Sequence, residues 1–249
     1  MKKSAKTCII LLIIVLVMGY AQSYTRLNLD LETGLVFSGY NDVQIPKSTG
    51  TRISLSEELK TDPTIFFRAK LIYSLSDRHK IAIFAAPLRL KASGKINREV
   101  SFEDSLFPAD TLLKSLYRFD SYRLTYRYDF YQTDKFEAGI GLTAKIRDAA
   151  ISLEGAGKKS EKTNTGFVPL INFRLQWMLA NKFGLLFEGD ALAAPQGRAE
   201  DVLLAMHYKP ANNLGLKLGY RILEGGADVE EVYNFTLINY IVLGAILAF

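Results

Sequence analysis

The sequence predicts an all-β fold: a transmembrane antiparallel meander of about ten strands, closed into a barrel. Three observations predict it. Apolar and polar residues alternate with period two along much of the chain beyond residue 25, the pattern of a strand with two unlike faces. Short polar connectors alternate with longer ones, as in barrels that have tight turns at one rim and loops at the other. Tyr and Phe, 13 and 15 residues, gather toward strand ends, as in YRFDSYRLTYRYDFY at 117–131, where membrane barrels carry aromatic girdles.

The expected strands are 26–40, 64–76, 80–93, 115–131, 135–150, 166–179, 183–194, 198–209, 213–224 and 231–249. Each has the roughly 9–11 residues that cross a bilayer at a tilt. Eight strands is the alternative count, and twelve follows if TRISLSEEL at 51–59 also pairs. The first strand sets Leu27, Leu29, Leu31, Leu35 and Phe37 against Asn28, Asp30 and Glu32. The second sets Ile65, Phe67, Ala69, Leu71 and Tyr73 against Arg68 and Lys70, and parity in the third assigns Arg89 and Lys91 to the polar face. The fourth opposes Tyr122, Leu124, Tyr126 and Tyr128 to Arg123, Arg127 and Asp129. The fifth opposes Ala138, Ile140, Leu142 and Ile146 to Glu137, Lys145 and Arg147. The sixth places Arg174 opposite Ile171, Phe173, Leu175 and Trp177. Glu188 and Asp190 fall in the seventh, and Lys217 and Arg221 in the ninth. The tight turns are DRHK at 77–80, QTDK at 132–135, ANK at 180–182 and PANN at 210–213. The longer connectors are 41–63, 94–114 and 154–165, with shorter ones near 195–199 and 225–230. An even strand count puts both ends of the barrel chain on the side of the tight turns.

Residues 1–21 have the form of a secretory signal peptide: a basic MKKSAK, an apolar CIILLIIVLVM, and small residues at Gly19 and Ala21. Cleavage is expected after Ala21, leaving 22–249 as one barrel domain. Cys8 lies early in the apolar run, which argues against lipoprotein-type processing. Without Lys2, Lys3 and Lys6, 28 basic residues face 26 acidic ones, so no concentrated basic surface supports nucleic-acid binding. The mature chain has no cysteine, hence no disulfide framework and no thiolate metal site.

The segment FTLINYIVLGAILAF at 235–249 places Phe235, Leu237, Ile241, Leu243, Ala245, Leu247 and Phe249 on the lipid-facing parity, with Asn239 as the misfit. Here the sequence resembles the small bacterial outer-membrane β-barrel class, the architecture of the OmpA, OmpX and OmpW type. The resemblance implies a Gram-negative outer-membrane location and an ending, Leu243, Ala245, Leu247 and Phe249, read by the barrel-assembly machinery. It also implies periplasmic chaperones, outer-membrane lipid and lipopolysaccharide as partners, a monomer, and no cofactor or metal.

In such a barrel the polar face lines the lumen. Parity assigns to it Asp30, Glu32, Arg68, Lys70, Arg89, Lys91, Arg123, Arg127, Asp129, Glu137, Lys145, Arg147, Arg174, Glu188, Asp190, Lys217 and Arg221. Two readings stand side by side: a narrow, slightly anion-preferring channel, or ion pairs that fill a small barrel. A second candidate is the rim stretch EGDALAAPQGRAED at 188–201, where Asp190, Gln196, Arg198 and Asp201 meet a ligand or simply close a hairpin. EGGAD at 224–228 is expected to make another outer turn. Lys158, Lys159 and Lys162 follow as a basic loop, either simply solvated or in contact with lipopolysaccharide phosphates; EGAGKKS at 154–160 lacks the spacing of a phosphate-binding loop.

No catalytic set stands out. His79 and His207 both lie by tight turns, away from the outer rim where omptin-type proteases and lipid A acyltransferases place a His, and neither begins a His-x-Ser pair of the deacylase type. There is no G-x-S-x-G turn and no H-E-x-x-H helix. The expectation is a non-enzymatic outer-membrane barrel, structural or a narrow channel. The alternatives are a surface-binding barrel acting through loops 41–63 and 94–114, and a rim enzyme acting on lipid or peptide through Asp190, Asp201 and Arg198.

Overall fold

The computed structural model describes residues 26–195 and 197–249. The predicted signal peptide and Gln196 lie outside the described residues. The strands in chain order are β1 (Leu27–Gln44), β2 (Ile53–Ser54), β3 (Lys60–Thr61), β4 (Thr64–Ser74), β5 (His79–Ala86), β6 (Arg89–Lys95), β7 (Val100–Phe102) and β8 (Ser105–Phe107). They continue as β9 (Leu112–Gln132), β10 (Phe136–Gly155), β11 (Lys158–Met178), β12 (Phe183–Ala194), β13 (Gly197–Ala211), β14 (Leu214–Val229) and β15 (Val232–Ala248).

Ten staves form the barrel: β1, β4, β5 continued by β6, and β9 to β15. All neighbours run antiparallel, and β15 closes on β1 from Asn28↔Ala248 to Gln44↔Tyr233. Closure pairs the backbone groups that an open edge would leave bare to lipid. The third stave is interrupted at Pro87, which has no N–H for the ladder. Below it β5 pairs with Ser121–Tyr128 of β9, and above it β6 pairs with Leu112–Arg118.

The large apolar side chains point outward, as the alternation predicts. Phe67 and Leu142 are 68% and 69% exposed, and Leu31, Leu35, Ile83, Leu124, Leu204 and Leu243 join them in one belt. At the tight-turn end Tyr73, Phe130, Tyr131, Trp177 and Phe183 ring the outside, with Phe183 stacked on Tyr208 at 4.6 Å. The aromatic run at 117–131 is only partly girdle. Tyr117 is buried inside and stacks on Phe119 at 6.2 Å, because odd residues of β9 face inward from Leu113 to Asp129.

Asn239, the misfit, keeps the lipid-facing parity but is not bare. The Tyr220 hydroxyl donates to its Oδ1 at 2.6 Å, which satisfies an amide that lipid cannot. On β1 the register shifts between Ser38 and Tyr40; below this bulge Asp30, Glu32 and Val36 face in, above it Asn41 and Val43 do.

The loop end departs from expectation in three ways. First, 45–63 and 94–111 are not open loops but a folded cap. Ile45, Ile53, Leu55 and Leu59 bury against Val100, Phe102 and Phe107 of the β7–β8 hairpin and against Leu113 and Leu153 of the barrel wall. Thr51 N donates to Ser101 O at 2.8 Å, Glu103 N to Ile45 O at 2.9 Å, and β3 pairs with β6. The cap comes so close at Gly94 that a Cβ there would lie 2.6 Å from Glu58 O. Even residues face inward through β5 and β6 alike, Ala82, Phe84 and Ala86 before Pro87 and Leu88, Leu90 and Ala92 after it. The latter three therefore floor the cap, and Arg89 and Lys91, on the outward parity of Ile83, are exposed instead of lumenal. Second, 154–165 is not a loop: β10 and β11 pair up to Gly155↔Lys158 around a two-residue turn, with Ala156 and Gly157 both at positive φ, 48° and 73°. Third, EGGAD at 224–228 continues β14 as strand.

One rim is therefore uneven. β12 pairs with β11 only from Ile171 to Met178. Residues 158–170 of β11 rise above it with a ladder on the β10 side alone.

Candidate functional site

The lumen holds a belt of charge at mid-height, built from residues of seven staves. β1 supplies Asp30 and Glu32, β4 Arg68 and Lys70, β9 Arg123, β11 Arg174, β12 Glu188 and Asp190, β13 Asp201, and β14 Lys217 and Arg221. Strand alternation places them on the inward parity, and most sit between two outward apolar neighbours, as Arg68 does between Phe67 and Ala69.

Asp201 is the hub. Its Oδ1 accepts from Arg221 Nη1 at 2.7 Å and its Oδ2 from Arg68 Nη2 at 2.5 Å and from Arg123 Nη2. Arg123 Nη1 reaches Asp190 Oδ2 at 2.7 Å, and Asp190 Oδ1 also accepts from Thr143 Oγ1 and Asn172 Nδ2 at 2.7 and 2.9 Å. Lys217 Nζ lies 2.8 Å from Asp30 Oδ1 and 2.7 Å from Glu32 Oε1, and Arg221 Nη2 reaches the same Glu32 at 2.8 Å. Glu188 accepts from Lys70 at 2.9 Å and Arg174 at 2.5 Å. Charge-assisted bonds of this kind are the strong class, and buried ions need them. Asp30, Glu32 and Glu188 bring carboxylate oxygens within 4.8 Å of one another, but Lys217 already stands between the first two and Glu188 carries its own pair of cations. Six cations thus face five carboxylates across the belt. The cavity at this level, lined by Lys70, Phe84, Arg123, Glu188, Asp190 and Arg221, holds only about 30 Å³. That is room for little more than one water.

The lumen opens on each side of the belt. Toward the tight turns, a vestibule of about 210 Å³ is lined by Arg127, Glu137, Arg174, Gln176, His207 and Lys209. Arg127 there pairs with Asp129 at 2.6 Å. Toward the loop end, a larger one of about 760 Å³ holds Lys145, Arg147, Phe119 and Tyr117.

The lumenal set expected from parity is otherwise in place: Asp30, Glu32, Arg68, Lys70, Arg123, Arg127, Asp129, Glu137, Lys145, Arg147, Arg174, Glu188, Asp190, Lys217 and Arg221 are buried or half-buried on inward positions. The rim group is not. Asp190 and Asp201 are register partners in the belt, while Arg198 pairs higher up with Glu224 at 2.7 Å, and Glu224 also accepts from the Tyr40 hydroxyl. Gln196 is outside the described residues. The 188–201 stretch is two strands around a very short turn, so its acids lie well below the tip. Sequence reasoning missed Asp201 as a lumenal group and His207 as a buried one. Parity on β13 held the signal, but Leu203 and Ala205 make its inner face as apolar as its outer. His79 caps the tight-turn end, with Nδ1 2.7 Å from the Tyr126 hydroxyl, so neither histidine is near the loop rim.

No protein-family model matches this sequence, and no curated protein matches it. Solved structures do match. The outer membrane protease OmpT from Escherichia coli superposes with a TM-score of 0.54 at 10% identity, over 92% of this chain and 99% of that one. An outer membrane channel from Pseudomonas putida F1 gives 0.44 at 8% identity over 92% and 98% of the two chains. The attachment invasion locus protein Ail of Yersinia pestis gives 0.40 at 9% identity over 90% and 99%. The likeness is one of fold: the chain is a closed ten-stranded antiparallel β-barrel, the architecture that the OmpT structure shares.

Proposed function

We propose that this protein is an outer-membrane barrel closed at rest, a structural platform that holds a folded cap at the outer surface. The observation that carries this reading is the mid-lumen belt, where every member is ion-paired and the cavity among Lys70, Arg123, Glu188 and Arg221 holds about 30 Å³. A channel needs a water path with weakly held charges; here both signs are present in near balance and satisfy each other. The tight-turn end then faces the periplasm, and the cap and the β10–β11 hairpin, with Lys158 and Lys159 at its tip, face outward toward lipopolysaccharide. Leu243, Ala245 and Leu247 lie on the outer face of the closing strand, where the assembly machinery can meet them.

Single-channel recording of the refolded protein in a planar bilayer, across a salt gradient, tests this. The expected result is a silent bilayer from protein that shows heat-modifiable gel migration. Steady, anion-preferring conductance would replace the closed platform with the narrow channel. The ordered cap favours a second reading, surface binding, because two long segments with their own core make a fixed surface. Deleting 97–109 should then abolish attachment to the bound surface and leave the barrel folded. Among the described residues the acids of the rim-enzyme reading, Asp190 and Asp201, are lumenal and paired, which does not support it.

A further inference from the structure

Of the buried lumenal cations, Arg68, Arg123, Arg174, Lys217 and Arg221 each hold a carboxylate. Lys145 does not. Its side chain is among the most completely buried in the protein, 2% exposed, and its Nζ lies 4.8 Å over the Phe119 ring. Among the described residues it has no ion pair and no hydrogen bond. A buried ammonium in that state is costly unless a counter-charge reaches it. Two positions along the same inward face, Arg147 is in a similar condition: Nη2 donates to Asn164, but Nε is buried without a partner.

Both cations line the loop-end vestibule. Its remaining wall is largely apolar, with Tyr117, Phe119, Leu223, Val168 and Pro169. Its volume of about 760 Å³ falls in the range of small-molecule sites. The lining comes from both sides of the step between β11 and β12: Lys162, Asn164 and Val168 on one, Leu192, Ala194 and Arg198 on the other. The two cations nearer the rim are already engaged, Lys162 with Glu103 at 2.9 Å and Arg198 with Glu224.

We propose that this vestibule binds a small organic anion with an apolar body, its charged end on Lys145 and Arg147 and its body against Phe119 and Leu223. The site is one of binding, with no bond made or broken. It rests on the closed lumen only for its floor.

The test is calorimetric titration of the refolded full chain in detergent, with micelles alone subtracted, using three probes: 3-phenylpropionate, its uncharged amide, and sulfate. The carboxylate should bind saturably, with the amide at least about tenfold weaker, the size of effect expected when a buried charge loses its partner. Lys145→Met should weaken the carboxylate by a similar factor, leave the amide unchanged, and keep or raise the temperature of the gel-mobility shift. Equal affinity for carboxylate and amide would overturn the proposal, as would undiminished binding to Lys145→Met. Sulfate binding as tightly as the carboxylate would also overturn it, because the apolar wall would then have no part. If Lys145→Met does not refold, Arg147→Gln, which keeps a donor for Asn164, takes its place, and unchanged affinity there overturns the proposal. Conductance is read separately: a conducting barrel that discriminates the carboxylate keeps the site and loses the plug, and a silent barrel that does not discriminate does the reverse.

Discussion

Asp201 bonds three guanidinium groups with one carboxylate, those of Arg68, Arg123 and Arg221. Asp201→Asn keeps its shape and removes its charge, leaving those cations short of a partner. The expected loss is about 3–5 kcal/mol, the cost of breaking a buried ion pair from one side, and urea unfolding in lipid vesicles measures it. The lipid face has a smaller counterpart in Asn239. Tyr220→Phe should cost about 0.6 kcal/mol and at most about 1.7, the measured span of such bonds in membranes. Asn239→Leu in the Tyr220→Phe background should recover that loss, since the amide left unpaired is gone; a double-mutant cycle with no coupling would refute the pairing. Neither arrangement was fully legible in the sequence. Parity told which way Asp30 or Arg123 points, but not which acid meets which base across the lumen. Asp201 was assigned to the rim because AAPQG looks like a longer turn than the one the strands make.

The cap is the element whose behaviour should depend most on pH. Arg98 is bonded to both carboxylate oxygens of Glu58 and donates to Arg52 O at 2.9 Å, clamping the two cap segments together. The hydrogen bond from Arg98 holds the Glu58 carboxyl below its ordinary 4.5, against the burial that raises it. A depressed carboxyl stabilises the folded form above the unfolded value and loses that contribution as pH falls through the folded one. Protease nicking within 94–111 should therefore be slow at neutral pH and rise below about pH 4.5, while the barrel itself stays intact. Glu58→Gln should show fast nicking at neutral pH and little further change. The staves were legible because alternation follows from crossing a bilayer. Above the bilayer that constraint ends. KKSEKTNT at 158–165 has no lipid-facing apolar set, so a hairpin arm looked like a loop, and the cap's Ile53, Leu55 and Leu59 looked like a twelfth-strand candidate instead of a core.

At the scale of the whole molecule, the closing strand made the fold legible. Its apolar alternation fits neither a membrane helix nor a frayed tail, and in the structure it joins β14 to β1 along nearly its full length. The count of ten followed from the rhythm of short and long connectors. What the chain could not disclose in advance was the state of the lumen, because channel and plug use the same inward charges and differ only in their distances. The step between β11 and β12 has a consequence of its own. Over 158–170 one side of β11 is laddered to β10 and the other faces no strand, so successive backbone amides alternate between a partner and water. Deuterium uptake along that arm should be two-beat, fast at every second residue, whereas 171–178, flanked on both sides, should label slowly throughout. Lys159 near the tip of that arm and Pro169 at its foot, which has no N–H for a new ladder, would keep two barrels from knitting together edge to edge.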